Sequence, residues 1–256
     1  MKTRPYLAEV SLKPSAAAHA QDFPFSLPVV RSLDRLALHP NVTFFVGENG
    51  SGKSTLLEAI AVAMGFNAEG GSRNFRFSTR ASHSGLHEHL RLGRGIALPR
   101  DGFFLRAESF FNVSTEIERI GTLTDAYGGK PLHEQSHGEA FLSLFMHRFG
   151  GNSLFILDEP EAALSPQRQL AMLSRLHDLV EAQSQFIIAT HSPILMAYPN
   201  ATIYECGEHG IHPVAYQDTE HYRVMHDFIA NPQRMLQVLM ENPQDLRASA
   251  ANPGNR

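Results

Sequence analysis

Residues 47–54 (GENGSGKS) have the residue types and the spacing of a phosphate-binding loop. They match the pattern G-x-x-x-x-G-K-[ST], between a β-branched and aromatic run at 41–46 and a segment with a helical apolar face at 53–64. Glycines let successive backbone N–H groups face phosphate oxygens, at the positive end of the following helix. The sequence therefore predicts a loop that holds the β- and γ-phosphates of a nucleotide.

Two side chains of this loop have distinct expected roles. Lys53 places a point charge on the phosphates, and the hydroxyl of Ser54 is suited to coordinate Mg²⁺. The predicted nucleotide-binding residues are Gly47, Glu48, Asn49, Gly50, Ser51, Gly52, Lys53, Ser54 and Thr55. A phosphate loop alone occurs in kinases, GTPases and motor ATPases, so other residues must select the class.

Two adjacent acids, Asp158 and Glu159, follow a second buried apolar run at residues 154–157. The carboxyl end of a strand is where ligands bind in an open α/β sheet, so we expect Asp158 to hold the magnesium through its water shell. Glu159 points the other way and is placed to act as general base on the attacking water. The alternative is an acid pair that only caps the next helix.

A third candidate, His191, directly follows another predicted strand, at residues 185–189. Single histidines are usually structural, but this one is predicted at the same edge of the sheet as the acids. The candidate catalytic residues are Lys53, Glu159 and His191.

Apolar patterning predicts the elements that position these residues. Strands are expected at 41–46, 103–111, 154–157 and 185–189, and helices at 53–64, 115–123, 138–149 and 167–182. Prolines in the first 40 residues favour short strands and turns, whereas the polar residues 66–100 favour a loop-rich subdomain or a mobile excursion. Because strands and helices alternate, we predict an α/β fold with a mainly parallel sheet flanked by helices.

The amino-acid composition further narrows the class of protein. The 256 residues carry a net charge of −4 and 43% hydrophobic residues, with no apolar run long enough to span a bilayer. No basic coat for nucleic acid and no secretion signal is evident, and the single cysteine, Cys206, excludes an intrachain disulfide. We expect a cytoplasmic protein without direct membrane insertion.

The order of these motifs resembles the ATP-binding cassette (ABC) ATPase family, including its soluble relatives of the SMC and RecF kind. Residues 47–54 resemble the Walker A motif, 154–159 Walker B, 161–165 the D-loop, and His191 the switch histidine. More narrowly, the runs HEQSHGEAF, LDEPEAALSPQRQ and FIIATHSPILMAYP look like small stand-alone predicted ATPases of this superfamily. The resemblance implies a P-loop fold of ABC type with an N-terminal antiparallel β part and a small inserted subdomain, using ATP and Mg²⁺.

A divergent signature motif is part of this resemblance. Ser136, His137, Gly138 and Glu139 keep the serine and one glycine of the family's LSGGQ segment, which binds the γ-phosphate of ATP held by the other subunit. The same residues also satisfy a plain helix N-cap, with Glu139 in the capping-box position. The two interpretations are compatible.

Other family positions have no identical match. No glutamine occurs between Ser54 and Gln135, so we expect Glu108 to replace the family's Q-loop glutamine and to reach the metal through water. The predicted metal ligands are Ser54, Asp158 and Glu108. Phe23 or Phe25 could contact adenine, although isolated aromatic residues are more often core.

Residues 66–100 are also rich in histidine and arginine. His83, His87 and His89 suggest a zinc site only by composition, and their spacing favours a solvated loop. The arginines give local positive charge that either touches a nucleic acid or acidic partner or is simply exposed; they are Arg73, Arg76, Arg80, Arg91, Arg94 and Arg100.

We expect residues 1–243 to form one ABC-type domain, with 66–135 as an inserted helical subdomain that carries the signature at its end, and 244–256 to be a disordered tail. The resemblance implies a Mg²⁺-dependent ATPase that closes as a nucleotide-sandwich homodimer to drive or gate an unidentified protein or nucleic-acid partner. The alternatives are the ATP-binding subunit of a membrane transporter and a slow regulatory switch.

Overall fold

A computed structural model of the chain describes residues 5–72, 84–108, 110 and 136–241. The strands are β1 (Leu7–Leu12), β2 (Leu36–Ala37), β3 (Val42–Val46), β4 (Gly71–Ser72), β5 (Leu90–Arg94), β6 (Asp101–Arg106), β7 (Ser153–Asp158), β8 (Gln185–Ala189), β9 (Thr202–Gly207) and β10 (Gly210–Pro213). Seven of them form the central sheet in the order β10-β9-β3-β8-β7-β6-β4. Within it, the neighbouring strands from β9 to β6 run parallel, and the edge strands β10 and β4 are antiparallel to their neighbours.

The helices are α1 (Pro28–Arg31), α2 (Lys53–Ala63), α3 (His137–Ser143), α4 (Pro166–Glu181), α5 (Pro193–Met196), α6 (Glu220–Ala230) and α7 (Pro232–Glu241). A π-helical turn, Leu144–Arg148, continues α3. Short 3-10 helices occur at Pro14–His19, Gly85–His89 and Tyr216–Asp218. The predicted helix at 138–149 is therefore confirmed as α3 with a wider last turn, and the predicted helix at 115–123 lies outside the described residues.

Continuous apolar strands are buried on both faces of the central sheet. In β7, Phe155 and Leu157 join one core, and Leu154 and Ile156 join the other. This alternation follows from the two-residue repeat of a strand and explains why the central strands read as unbroken apolar runs. The two cores fix the sheet between α4 on one face and α2 on the other.

The second sheet is antiparallel, with the order β2-β1-β5. The side chain of Gln185 joins it to β8: Gln185 Oε1 accepts from the N–H groups of Tyr6 and Leu7, and Nε2 donates to the carbonyls of Leu7 and His39. The expected N-terminal antiparallel β part is thus confirmed.

Part of the predicted loop-rich segment 66–100 is a strand. β5 (LRLGR) pairs with β1, and its apolar face is short: Leu90 is buried and Leu92 is partly buried against the same core. Of the predicted subdomain at 66–135, residues 73–83, 109 and 111–135 lie outside the described residues, as does the tail 244–256. The domain division therefore stays a prediction. Among the described residues, no helix has the length and apolar character needed to cross a membrane.

Candidate functional site

The phosphate loop connects the end of β3 to the start of α2, as the sequence predicts. Two of its glycines are required by geometry. Gly47 has φ 134°, and a Cβ there would lie 2.1 Å from the carbonyl oxygen of Cys206 in β9. Gly52 caps α2 with φ 93°, and a Cβ would lie 2.6 Å from the side chain of Val29. L-residues rarely adopt either conformation, so both positions favour glycine on two counts.

The side chain of Lys53 folds back onto this loop, and the residue is only 3% exposed. Its ammonium donates to the carbonyl oxygens of Gly47 at 2.7 Å and Glu48 at 2.8 Å, and it lies 3.4 Å from Ser51 Oγ. Burial lowers the pKa of Lys53, whereas the carboxylates of Glu159 and Asp158 oppose that change. The loop therefore holds a buried cation next to both Walker B acids.

Ser54 and Asp158 are in direct contact across the sheet. The Ser54 hydroxyl donates to Asp158 Oδ1 at 3.0 Å. Asp158 is buried, and its burial raises the pKa of the carboxyl from 3.8 to about 6, although Arg106 and the Ser54 hydrogen bond act in the other direction. The carboxylate is thus incompletely compensated by the protein.

Arg106, at the end of β6, is a site residue that the sequence analysis missed. Its Nε lies 3.6 Å from Asp158 Oδ2, its Nη2 lies 3.5 Å from Glu108 Oε2, and its Nη1 pairs with Glu58 of α2. The predicted ligand Glu108 is largely exposed, and Arg106 lies between it and Asp158, within ion-pair distance of both. No local sequence signal marks Arg106, because its place beside Asp158 follows from the parallel pairing of β6 with β7.

Glu159 has the uncommon left-handed conformation, with φ 51°. Such a conformation costs of order 1 kcal/mol in a residue other than glycine and is concentrated at functional sites. Its N–H donates to the carbonyl of Ala189 at the end of β8, at 3.0 Å. Asp158 and Glu159 consequently have separate partners, as expected for two acids with different roles.

His191 contacts Glu159, with Nε2 3.4 Å from Glu159 Oε1. The His191 N–H donates to Glu161 Oε1 at 2.6 Å, so the D-loop acid fixes the backbone of the histidine. On the other side of the ring, Nδ1 lies 2.9 Å from Nε2 of His221, in α6. Burial lowers the pKa of both histidines, and the charge of Lys53 adds to this at His191. No motif marked His221.

The predicted signature segment begins α3 and packs on the D-loop of the same chain. Ser136 and Glu139 form a capping box, with Ser136 Oγ 2.7 Å from Glu139 Oε2. Arg168 of α4 donates to Glu139 Oε1 at 3.1 Å. A Cβ on Gly138 would lie 2.2 Å from the carbonyl oxygen of Ala163. The N-cap interpretation is therefore confirmed, and the side chain of His137 lies outside the described part of the chain.

A cleft of about 240 Å³ opens above the phosphate loop. Its lining comprises Phe23, Leu27, Asn49, Gly50, Gly52, Lys53, Ser54, Thr55 and Glu159. Phe23 is 71% exposed there, whereas Phe25 is buried and packs on the rings of His19 and His89. Of the two aromatic residues named from the sequence, only Phe23 borders the cleft.

The donor atoms at the end of β7 suit magnesium. Ser54 and Asp158 present a hydroxyl and a carboxylate oxygen, the ligand type that Mg²⁺ prefers, and a dication there would compensate the buried charge of Asp158. Across the described ranges, no group of three or more His, Cys, Asp or Glu side chains is arranged to hold a metal ion. Of the histidines considered for zinc, His83 falls outside those ranges.

Comparisons with known proteins agree with the ATPase motifs. The model of a family described as "AAA domain" matches residues 21–133. A second, described as "AAA domain, putative AbiEii toxin, Type IV TA system", matches residues 125–197. A search of the curated proteins found no match.

Three solved structures are similar to this chain at low sequence identity, each with a TM-score below 0.5. The structure of cbiO1 from Clostridium perfringens, part of the ABC transporter complex cbiONQ, is 16% identical over 93% of this chain and 99% of that chain, with a TM-score of 0.47. "An inward-facing conformation of a putative metal-chelate type ABC transporter" is 17% identical over 87% and 88%, with a TM-score of 0.49. The SMC head domain from Thermotoga maritima is 18% identical over 71% and 93%, with a TM-score of 0.39. Likeness at this level carries no information on what the chain binds.

The resemblance rests on the chain's own features together with the two partial family-model matches. The phosphate loop follows β3, the acid pair ends β7 and the histidine follows β8, and these three strands are adjacent in the sheet. By its motifs and its fold, the chain resembles the ABC superfamily of P-loop ATPases, and two AAA-domain family models each match part of it.

Proposed function

We propose that the chain binds MgATP and hydrolyses it at the carboxyl edge of β3, β7 and β8. One observation carries the proposal: Lys53, the Ser54–Asp158 pair and the Glu159–His191 pair converge there from three separate strand ends. A nucleotide-binding loop without a chemical role has no need of a buried aspartate, a glutamate that lines the cleft and a histidine beside them. A slow regulatory switch is the alternative, and the contact between Glu159 and His191 favours turnover.

The residues divide the work by their chemistry. Ser54 and Asp158 would hold Mg²⁺, which supplies charge neutralisation at the phosphates when bound. The Lys53 ammonium now contacts the carbonyl oxygens of Gly47 and Glu48. On nucleotide binding it would leave these carbonyls and contact the phosphates instead. Glu159 takes a proton from the attacking water as general base, since its carboxylate lines the cleft directly beside the loop.

His191 orients the acid and the transferred phosphate. Its Nε2 faces Glu159, and its backbone is fixed by Glu161 of the D-loop. A change at the D-loop would therefore be transmitted to the histidine through one hydrogen bond. This arrangement supports a reaction that depends on how the D-loop is seated.

For the assembly, we propose a nucleotide-sandwich homodimer in which residues 136–139 of one copy contact the ATP of the other. Its support is the family resemblance together with the exposure of Ser136 at the start of α3. The close packing of Gly138 on Ala163 joins the signature segment to the D-loop, so both would reach the partner's site as one unit.

The dimer can be tested with Glu159→Gln, which keeps the shape of the side chain and removes the base. At saturating MgATP, this variant should elute with the mass of a dimer in light scattering, and without nucleotide with that of a monomer. The double variant Lys53→Ala/Glu159→Gln should bind no nucleotide and stay monomeric. A monomeric Glu159→Gln protein that has bound MgATP would overturn the sandwich model.

The partner that the dimer drives is proposed to be soluble, either a protein or a nucleic acid. The description of the second family model, which names a toxin–antitoxin system, supports this over a transporter subunit. Adding duplex DNA to the ATPase assay at low and moderate salt separates the two kinds of partner. Stimulation that fades with salt indicates nucleic acid, since phosphate contacts weaken with ionic strength, and a rate indifferent to DNA indicates a protein.

A further inference from the structure

Arg106 brings a fixed positive charge to the proposed metal site. It is the last residue of β6 and pairs in register with Asp158 of β7. Residues in register on neighbouring strands point to the same face of the sheet, so both side chains lie on the face that α2 covers. The side chain of Arg106 is 20% exposed, and that of its partner Glu58, in α2, is 15% exposed. The guanidinium is therefore held between the sheet and the helix.

This guanidinium acts on Asp158 as a charge and not as a hydrogen-bond donor. Its Nε lies 3.6 Å from Asp158 Oδ2, beyond hydrogen-bond distance, and this buried nitrogen has no hydrogen-bond partner within the described residues. Nη1 donates to Glu58 instead. The other carboxylate oxygen, Oδ1, accepts from Ser54. Removing the arginine would thus remove a charge beside Asp158 and leave the hydrogen bond from Ser54 in place.

Three carboxylates lie within ion-pair distance of Arg106, those of Asp158, Glu58 and Glu108. Burial raises the pKa of Asp158, and among the groups that lower it Arg106 acts more strongly than the Ser54 hydroxyl. Without the guanidinium, these acids would attract a bare divalent cation, since carboxylates are ligands that Mg²⁺ prefers. A cation that binds Asp158 has to share this carboxylate with the guanidinium, and two positive charges repel each other.

The same charge acts in the opposite direction on a nucleotide. The loop predicted to hold the phosphates ends at Ser54, which contacts Asp158 directly. A positive charge on the other side of Asp158 attracts a polyphosphate bound to that loop. Glu58 already fixes the guanidinium in place, so little additional ordering is needed when the anion binds.

We propose that Arg106 sets the ligand selectivity of the site: its charge weakens the binding of a bare divalent cation and strengthens the binding of ATP. The ion then enters together with the nucleotide and does not occupy the site alone. This inference rests on the proposed function and names the residue that decides in which form the metal is bound. Arg106 is itself neither a metal ligand nor a proton donor.

Binding of Mn²⁺ without nucleotide, followed by electron paramagnetic resonance, tests the first half of the proposal. Mn²⁺ takes the same oxygen ligands as Mg²⁺, and the binding that is lost in Asp158→Asn belongs to this site. Arg106→Gln removes the charge and should bind Mn²⁺ at least about threefold more tightly than the wild type. Arg106→Lys keeps the charge and should stay within about twofold of the wild type. Unchanged or weaker Mn²⁺ binding in a folded Arg106→Gln protein would overturn the proposal.

Titration with a fluorescent ATP analogue in EDTA tests the second half. Arg106→Gln should bind the analogue at least about threefold more weakly than the wild type, because the anion loses an attracting charge. Equal or tighter binding would also contradict the proposed selectivity. A purely structural role of Arg106 predicts weaker binding of both ligands, since a distorted site holds neither well. The selectivity role predicts shifts in opposite directions.

Arg148→Gln is the matched control and should equal the wild type in both titrations. Arg148 is another half-buried arginine, paired with Asp101 at the opposite end of β6. If Arg106→Gln does not fold, Arg106→Gln/Glu58→Gln removes the pair without leaving Glu58 unpaired. The same opposite shifts are expected there, because the guanidinium borders Asp158 directly, and their absence would overturn the proposal.

Neither titration needs turnover. A wild-type protein that fails to hydrolyse ATP therefore contradicts the proposed function, whereas the selectivity is decided by the two binding measurements alone.

Discussion

The hydroxyl of Ser54 donates a hydrogen bond of 3.0 Å to Oδ1 of Asp158, a residue 104 positions later in the chain. The contact joins the first turn of α2 to the last residue of β7. It brings two oxygen atoms suited to Mg²⁺ together, and it leaves a buried carboxylate whose charge the protein only partly balances. The ionisation of Asp158 therefore affects both metal binding and the free energy of unfolding.

Asp158→Asn should stabilise the metal-free protein at pH 8. The folded protein raises the pKa of Asp158 from 3.8 to about 6, so the stability it contributes is complete below pH 4 and is lost as the pH rises through 6. Above pH 6 the ionised side chain costs about 2–3 kcal/mol, which the asparagine avoids while still accepting from Ser54. The melting temperatures of the wild type and Asp158→Asn at pH 8 and pH 5 measure this difference in stability.

The difference in melting temperature should shrink at pH 5, and MgATP should stabilise the wild type more than the variant. Asp34→Asn, at an exposed carboxylate, serves as the control and should show no pH-dependent difference. A variant less stable than wild type at pH 8 would refute the view that Asp158 is an uncompensated charge.

Gly138→Ala should loosen the packing of the signature segment on the D-loop. Its Cβ would lie 2.2 Å from the carbonyl oxygen of Ala163, a backbone atom that can only move with the loop. Overpacking of this kind costs about 1–3 kcal/mol, so we expect a lower melting temperature together with a reduced ATPase rate. Gly150→Ala is the matched control, since nothing lies within 4 Å of its added methyl group. Equal stability of the two variants would show that the contact is not tight.

Phe23→Ala should weaken ATP binding and leave the fold intact. Phe23 is 71% exposed at the edge of the cleft, where an aromatic face can stack on adenine, an interaction of about 0.5–1.5 kcal/mol. We expect ATP affinity to fall about threefold to tenfold in a titration with a fluorescent analogue. Phe25→Ala should instead destabilise the protein by about 3 kcal/mol, because Phe25 is core. Unchanged ATP affinity in Phe23→Ala would exclude the stacking role.

The parts of the fold predicted from the sequence are those with local signals. β3, α2, β7, α4 and β8 combine apolar runs or periodic faces with clear ends, and their bounds agree with prediction to within one or two residues. β5 differs because its apolar alternation is limited to Leu90 and Leu92 and is followed by Gly93 and Arg94. Two apolar residues are too few to mark a strand, and pairing with β1 completes it.

Within the site, the motif residues were predictable and their partners were not. Lys53, Ser54, Asp158, Glu159 and His191 follow strand ends, which parallel order gathers at one edge. Arg106 and His221 reach the same edge through the order of strands and the return of α6, which depend on long-range packing. The left-handed backbone of Glu159 had no signal either, because glycine or asparagine usually marks that conformation.

Steady-state phosphate release by the purified protein, compared with Glu159→Gln, tests the central claim most directly. The account predicts a Mg²⁺-dependent wild-type rate and a loss of at least about a hundredfold in Glu159→Gln, because the variant lacks the general base. Nucleotide binding should persist in the variant. Equal rates in the two proteins, or no release by a wild type that binds MgATP, would contradict hydrolysis at this site.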